Sequence, residues 1–380
     1  MKSSVLIVAG ESSGEKYGAA LVREYRSLDP SASFFGIGGP EMAAAGVDIL
    51  HPMNDLAVVG LTEVLIHIPR IRRILKSLTG TAREKKPRAA VLIDAPDFNL
   101  RLARSLKRAG IPVLYYVSPT VWAWRHRRLK TIKARIERML LIFPFEEEIY
   151  RKAGIPHAYV GHPLQDKIRT SRIKADFFRI HGLDPTKSVV AVLPGSRAGE
   201  VHRHLPVLWE TATHLEKIRD CQCLFVRAAN LEADVLRAPP GHNHAFRVLS
   251  ASEDGYNAMA WSDLVLSSCG TANLETALLG TPFIAFYKIS PLTYALAKRM
   301  ITLKSVSIVN ILAGELVVPE LIQHDFTSEK LTAQATALLD SEPDRTRMKA
   351  HFDRIRKMIH VDNPSQRAAR ELADLLNPPG

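Results

Sequence analysis

Cysteine is scarce in this chain: Cys221, Cys223 and Cys269 are the only three in 380 residues. Three thiols build no disulfide framework, and Cys221 with Cys223 is a lone C-x-C without companion ligands. A reduced, cytosolic protein is therefore expected rather than a disulfide or zinc scaffold. Long apolar runs are also missing. Stretches such as Met139 to Phe143 fall far short of the roughly 18 residues a spanning helix needs. No signal peptide is expected at the start, because only Val5 to Ala9 is continuously apolar before Glu11. Low-complexity tracts and short-period repeats are absent. His202/His204 and His242/His244 are i,i+2 pairs with no third ligand in view, which argues against zinc hydrolysis and leaves no metal site expected.

Positive charge is what the chain has in excess, 51 Lys and Arg against 39 Asp and Glu, a formal +12 at pH 7. The surplus is clustered. Arg125, Arg127, Arg128, Lys130, Lys133, Arg135 and Arg138 fall within fourteen residues, opposed only by Glu137 and preceded by Trp122 and Trp124. Arg70, Arg72, Arg73 and Lys76 form a second group after the apolar Val64-Leu65-Ile66. Such groups fit nucleic acid, an anionic membrane face or phosphorylated substrates, or form a solvated helix face. Aromatics beside arginines stack bases, anchor at a membrane interface or simply pack. No recognised nucleic-acid module accompanies them, so nucleic acid is not an expected partner. Leu56 to Ile68 with its following Arg group reads either as an interfacial membrane element or as a core helix with a basic outer face.

A chain of 380 residues with 46% hydrophobic content suits two α/β domains. Strand-length apolar runs at Val5–Ala9, Phe34–Ile37, Ala89–Ile93, Val113–Val117, Met139–Ile142 and Ala158–Val160 alternate with helical patterns at Gly14–Leu28, Leu61–Lys86, Leu100–Ala109 and Glu146–Lys152. A second alternation has strands at Val189–Leu193, Cys223–Arg227, Arg247–Leu249, Asp263–Leu266 and Pro282–Ala285. Its helices fall at Gly199–Ile218, Thr271–Leu279 and Pro291–Met300, and the chain is helical after Glu329. The expected organisation is an N-terminal Rossmann-like domain over 1–165, a polar linker over 166–187, a second Rossmann-like domain over 188–345 and C-terminal helices over 346–380. Two doubly wound parallel sheets facing each other across a cleft follow from that alternation.

Strand-to-helix turns carry the chemistry. LPGSRAGE (Leu193 to Glu200) follows the apolar run Val189 to Val192. Gly195 and Ser196 leave backbone amides at a helix N-terminus, where phosphate is favoured, and Arg197 adds a forked donor. SSCGTANLE (Ser267 to Glu275) repeats the pattern. Amides near Gly270 and Thr271 suit phosphate and Glu275 suits ribose hydroxyls, although a first-turn acid is also favoured by the helix dipole alone. Tyr287, after the strand Pro282–Ala285, can flank a sugar or base. In the first half, AGESSGE (Ala9 to Glu15) lacks both the G-x-G-x-x-G of a dinucleotide binder and the lysine of a P-loop. IDAPDFN (Ile93 to Asn99) brings Asp94, Asp97 and an amide to the sheet edge, with helix capping as the alternative role for Asp97.

AGESSGE, GIGG (Gly36 to Gly39), IDAPDFN, YYVSPTVWAW, FPFE (Phe143 to Glu146), YVGHPL (Tyr159 to Leu164), LPGSR, CGTANLE and NIL (Asn310 to Leu312), in this order, resemble the bacterial lipid-A-disaccharide synthase family over essentially the whole chain. The resemblance implies a GT-B fold and a metal-independent, cofactor-free, inverting transfer. The donor it implies is UDP-2,3-diacylglucosamine and the acceptor 2,3-diacylglucosamine 1-phosphate. The products are UDP and the β-1′,6-linked disaccharide phosphate. It also implies a peripheral enzyme at the inner face of the cytoplasmic membrane, and homodimers with C-terminal helices crossing back or exchanged between subunits. Asp97 is then the expected general base, because the N-terminal domain of this fold carries the acceptor, with Asp94 and Glu11 as competitors. Arg197 stabilises the leaving diphosphate, and Asn310 resembles a family residue important for activity, expected as a donor contact. Glu15 where Asp is common, Val59 where Met is common and Cys269 where Ser is common depart from the family pattern. An enzyme like UDP-N-acetylglucosamine 2-epimerase would share the second-half motifs only, and a basic nucleic-acid-binding protein is the non-enzyme alternative.

Overall fold

The computed structural model describes residues 4–56, 61–122, 127–163, 165, 168–237, 246–291, 294 and 305–377. The chain divides into two units, one built from Met1–Leu164 with Ile359–Gly380, the other from Gln165–Arg299 with Leu303–Met358.

The first unit holds β1 (Ser4–Ala9), β2 (Ser33–Gly38), β3 (Val47–Pro52), β4 (Ala89–Ile93), β5 (Val113–Tyr116), β6 (Arg138–Leu141) and β7 (His157–Tyr159) in one parallel sheet, ordered β3-β2-β1-β4-β5-β6-β7. Its helices are α1 (Ser12–Leu28), α2 (Pro40–Ala44), α3 (Leu61–Lys85), α4 (Pro96–Arg108), α5 (Arg128–Arg135) and α6 (Glu146–Ala153). Val5 to Ala9 and Ala89 to Ile93 are all fully buried. A strand covered on both faces reads as a continuous apolar run rather than an alternation, which is why β1 and β4 are plain in the sequence. Leu6, Val8, Phe35, Leu92 and Leu141 meet Leu78, Leu102 and Leu106 in one core layer. Each such side chain contributes about 1.5–3 kcal/mol. β3 is an edge strand whose residues are mostly half-exposed, so it carries no apolar run and no strand is expected there from sequence.

The second unit has β8 (Val189–Leu193), β9 (Gln222–Arg227), β10 (Arg247–Ser250), β11 (Leu264–Ser268), β12 (Phe283–Tyr287) and β13 (Glu320–Ile322), ordered β10-β9-β8-β11-β12-β13 and all parallel. Its helices are α7 (Lys174–Ile180), α8 (Ala198–Arg219), α9 (Ala251–Trp261), α10 (Thr271–Leu279), α11 (Ile308–Ala313), α12 (Ser328–Asp340) and α13 (Glu342–Ile359). The polar stretch read as a linker is tied down in this unit. Asn257 Oδ1 accepts from the amides of Ser171 (3.0 Å) and Arg172 (3.2 Å), while Asp254 takes Arg172 Nε at 3.0 Å and His181 Nε2 at 2.9 Å. Phe352 of α13 stacks on Phe283 with ring centroids 5.6 Å apart.

The C-terminal segment then returns to the first unit. α14 (Pro364–Leu376) packs against α1, Glu371 accepts from Arg138 at 2.5 Å, and Asn377 accepts from Arg88 at 3.1 Å. Val361 lies against Gly161 of the GHP turn. The helix expected over Pro291–Met300 falls almost wholly outside the described residues, as do Trp124, Arg125, Val59 and His242. No described helix is long and apolar enough to cross a membrane.

Both sheets reverse their order beside their first strand, between β1 and β4 and between β8 and β11. At such a switch point the flanking loops diverge above and below the sheet and leave a crevice at the strands' carboxyl ends. AGESSGE and IDAPDFN flank one crevice; LPGSRAGE and SSCGTANLE flank the other.

Candidate active site

In the second unit, β8 and β11 are hydrogen-bonded neighbours with Leu193 opposite Ser267, so their turns leave the sheet side by side. Gly195 has φ +128°, a conformation side-chain-bearing residues rarely adopt, and a Cβ there would come within 3.3 Å of the Glu200 carboxylate. Glycine is therefore what lets the backbone turn toward the crevice at this point. α8 begins after Arg197 without a side-chain cap on its first turn, where the Glu200 amide bonds the Arg197 carbonyl at 3.0 Å. Ser196 is exposed and its carbonyl accepts from Asn230 Nδ2 at 2.9 Å. Arg197 Nη1 donates to Glu200 Oε1 at 3.1 Å, and the Tyr287 hydroxyl donates to the same oxygen at 2.8 Å. Burial and the Glu200 charge push the Tyr287 phenol well above its usual range.

His204 holds this turn from behind. It is fully buried, with Nδ1 2.7 Å from the Pro194 carbonyl and Nε2 3.0 Å from the Lys288 amide. The carbonyl needs a proton on Nδ1 and the amide needs the lone pair of Nε2, so the ring is the neutral Nδ1–H tautomer. Burial depresses its pKa in agreement with that. Glu200 and His204 lie four apart on the buried face of α8. A polar pair on such a face is the sequence signal that identifies them, and reading His204 only as half of a metal pair misses it.

At the neighbouring turn, α10 starts from Gly270 with no side-chain cap, and Gly270 and Thr271 are exposed. Glu275 is half-buried and accepts from the Tyr256 hydroxyl at 3.2 Å. The hydroxyl of Tyr287 is engaged by Glu200, which fixes the ring expected to flank a sugar or base. Asn310 is 2% exposed and all its hydrogen-bonding capacity is internal. Its Nδ2 donates to Val318 O (2.9 Å) and Glu320 Oε1 (2.7 Å), and its Oδ1 accepts from Val317 N (2.8 Å) and Val318 N (2.9 Å). An amide committed at four points ties α11 to the approach to β13.

In the first unit, Ala9 sits opposite Ile93, so the turns after β1 and β4 adjoin. A Cβ on Gly10 would lie 2.6 Å from that of Ala95, so only glycine permits this approach. Glu11 is the exposed N-cap residue of α1, without a side-chain capping bond. Glu15 is buried and accepts from the Glu41 amide at 2.8 Å, joining its turn to α2. Asp94 and Ala95 both take left-handed backbone, φ +50° and +43°. Ala95, not Asp97, is the N-cap of α4, and Asp97 lies in its first turn. The Asp97 side chain is 75% exposed and ion-paired with Arg128, itself only 13% exposed. The structure thus brings Asp97, Asp94 and Glu11 to one sheet edge, with Asp97 and Glu11 exposed there and Asp94 half-buried.

Much of the basic cluster is architectural. Arg128 reaches Asp97, Lys133 donates to Ala153 O at 3.0 Å, Arg135 to Leu100 O at 2.7 Å, and Arg138 pairs with Glu371. Trp122 packs edge-on against Phe145, centroids 5.3 Å apart. Behind them Glu146, the acid of FPFE, is 1% exposed and accepts from Phe143 N at 3.3 Å. Burial pushes its pKa up to about 8. Ser118, on the preceding loop, hydrogen-bonds the Tyr150 hydroxyl at 2.7 Å. His162 of GHP is buried between Tyr17 and Phe143 rings, and burial lowers its pKa to about 3. Among the described residues no group of three His, Cys, Asp or Glu side chains is arranged to hold a metal.

The family model for lipid-A-disaccharide synthetase matches residues 5–376. The chain belongs to the lipid-A-disaccharide synthase family. The lipid-A-disaccharide synthase of Geobacter metallireducens is 42% identical over 374 residues, 98% of this chain and 97% of that protein. That of Solibacter usitatus is 40% identical over 373 residues, with the same coverage. Among solved structures, the calicheamicin glycosyltransferase CalG4 superposes with a TM-score of 0.61 at 14% identity, covering 99% of each chain. UDP-GlcNAc 2-epimerase from Neisseria meningitidis, bound to UDP-GlcNAc, superposes at 0.60 and 12% identity, also over 99% of each. Those likenesses show a shared GT-B fold; family membership separates this chain from the epimerases. It is a glycosyltransferase of lipid A biosynthesis, which calls for a sugar-nucleotide donor and a glycolipid acceptor.

Proposed function

We propose that the enzyme transfers 2,3-diacylglucosamine from its UDP derivative to 2,3-diacylglucosamine 1-phosphate with inversion and without a metal or cofactor. The observation that carries this reading is the adjacency of two glycine turns, each opening a helix, at the β8/β11 switch point. Amides around Ser196 and Thr271 receive the diphosphate, and Arg197, oriented by Glu200, offsets the charge that develops on departing UDP. Glu275 binds the ribose. On the other substrate, Asp97 accepts the proton of the attacking hydroxyl, a role worth about 10²–10⁴-fold. Glu11 and Asp94 lie at the same edge as its competitors. Asn310 acts only by building the strand entry beside the donor turns.

Acylated substrates bring the enzyme to a bilayer surface, and the Leu56–Ile68 stretch with Arg70, Arg72 and Arg73 is the element we assign to that contact. A triple Ala variant at these arginines that still binds anionic vesicles as wild type does contradicts the assignment. We further propose a homodimer, peripheral to the cytoplasmic membrane's inner face, in which the α14 segment either crosses back onto α1 of its own chain, the arrangement described above, or exchanges between subunits.

Incubation of both glycolipids with the enzyme in detergent micelles containing EDTA tests the chemistry. A disaccharide with the β-anomeric proton coupling and undiminished turnover supports it; an α-linked product or abolition by EDTA rejects it.

A further inference from the structure

The two switch-point turns are clamped by one device. Asn99, in the first turn of α4, donates Nδ2 to the carbonyls of Ile93 (3.0 Å) and Asp94 (2.8 Å), six and five residues earlier. Asn273, in the first turn of α10, donates Nδ2 to Ser267 Oγ (2.9 Å) and the Ser268 carbonyl (3.1 Å), again six and five residues earlier. Both side chains are fully buried, and in both the amide oxygen has no hydrogen-bond partner. Asparagine here serves through its NH₂ alone, reaching back from a helix to the end of the preceding strand. In each sheet that strand is the one beyond the reversal, β4 or β11.

The first clamp has a second jaw. The Tyr115 hydroxyl, from β5, donates to the Asp94 carbonyl at 2.6 Å. It shares that oxygen with Asn99, and Asp94 and Ala95 carry the two consecutive left-handed φ angles of the loop. Residues with side chains hold such backbone only where the surroundings over-determine it. Three hydrogen bonds from buried groups do so here, and they fix where α4 starts and where Asp97 emerges.

We infer that Asn99 with Tyr115, and Asn273 separately, are positioning residues that sort by substrate: the first pair aims the acceptor-side carboxylate Asp97, and Asn273 shapes the turn that receives the donor diphosphate. This rests on the nucleotide-sugar reading above. Neither amide touches a reacting atom. Each acts through the strand end it holds, and a displacement of about 1 Å at such a point costs about 10²-fold in rate.

Tyr115→Phe, Asn99→Ala and Asn273→Ala test the sorting, with melting temperature, UDP affinity by calorimetry and steady-state kinetics measured for each. The first two should lower kcat by about 10²-fold and leave UDP affinity unchanged. Asn273→Ala should weaken UDP binding by about tenfold or more, raise the donor KM and spare kcat at saturating donor. Tyr115→Phe removes one hydrogen bond and no packing volume, so it serves if Asn99→Ala does not fold. Variants that lose UDP binding alike, or that shift only the melting temperature, overturn the sorting. Wild-type enzyme that binds no UDP overturns the nucleotide-sugar reading and the sorting with it. Wild type that binds UDP while the variants fail to sort overturns the sorting alone.

Discussion

Replacing Glu146 by Gln should stabilise the enzyme strongly in mild alkali and only slightly at pH 5. The carboxyl is 1% exposed, and burial raises its pKa from 4.5 to about 8. A raised carboxyl pKa means that the folded protein keeps a proton which the unfolded chain releases above pH 4.5. Stability from this group is thus complete below pH 4.5 and declines as pH rises toward 8. Each pH unit across that window costs about 1.4 kcal/mol, which leaves wild type about 4 kcal/mol worse at pH 8. The glutamine amide would keep an oxygen for the Phe143 N–H, 3.3 Å from the carboxylate in the native enzyme, and carries no charge to desolvate. A unit of this size gains about 2–4 °C in melting temperature per kcal/mol, so the variant should melt about 8–16 °C higher at pH 8. At pH 5 the two proteins should melt within about 1–3 °C of each other. Scanning calorimetry at both pH values reads the difference directly. An equal offset at pH 5 and pH 8 would refute the reasoning, because it would mean that the buried carboxyl ionises like an exposed one.

Asp97→Asn should fold as wild type, since the side chain is 75% exposed, yet lose about 10²–10⁴-fold in kcat; near-normal turnover with intact folding removes it as the base. Glu275→Ala should raise the donor KM far more than the acceptor KM, and equal effects would assign it a structural role. His204→Phe keeps ring volume but strands the Pro194 carbonyl and the Lys288 amide, now 2.7 and 3.0 Å from the imidazole. Each buried orphan costs about 1–3 kcal/mol, so denaturant titration should show a loss of about 2–6 kcal/mol in the second unit, and an unchanged midpoint would count against the staple.

How much of the fold is legible in the sequence follows from burial. β1, β4, β8 and β11 are covered on both faces and announce themselves as apolar runs, and the turns after them fall at the two switch points because those four strands begin the wound halves. β3 and β13 are edge strands, half-exposed or only three residues long, and they leave no such mark. α9 is hidden by its polar start and by the kink at Asp254, φ −135°. That Asp97, Glu275 and Arg197 stand at strand-to-helix turns is legible because each turn is local in sequence. The rest is not local. His204 means nothing without Lys288, 84 residues away, nor Tyr287 without Glu200, 87 residues away. The four hydrogen bonds of Asn310 to Val317, Val318 and Glu320 are equally invisible in the sequence.

The most direct test of the central claim follows UDP and lipid product together in micelles. With both diacylglucosamine substrates present, UDP and disaccharide 1-phosphate should appear in equal amounts, and omission of the acceptor should abolish both. UDP released without acceptor, or an epimerised sugar in place of a disaccharide, would contradict it.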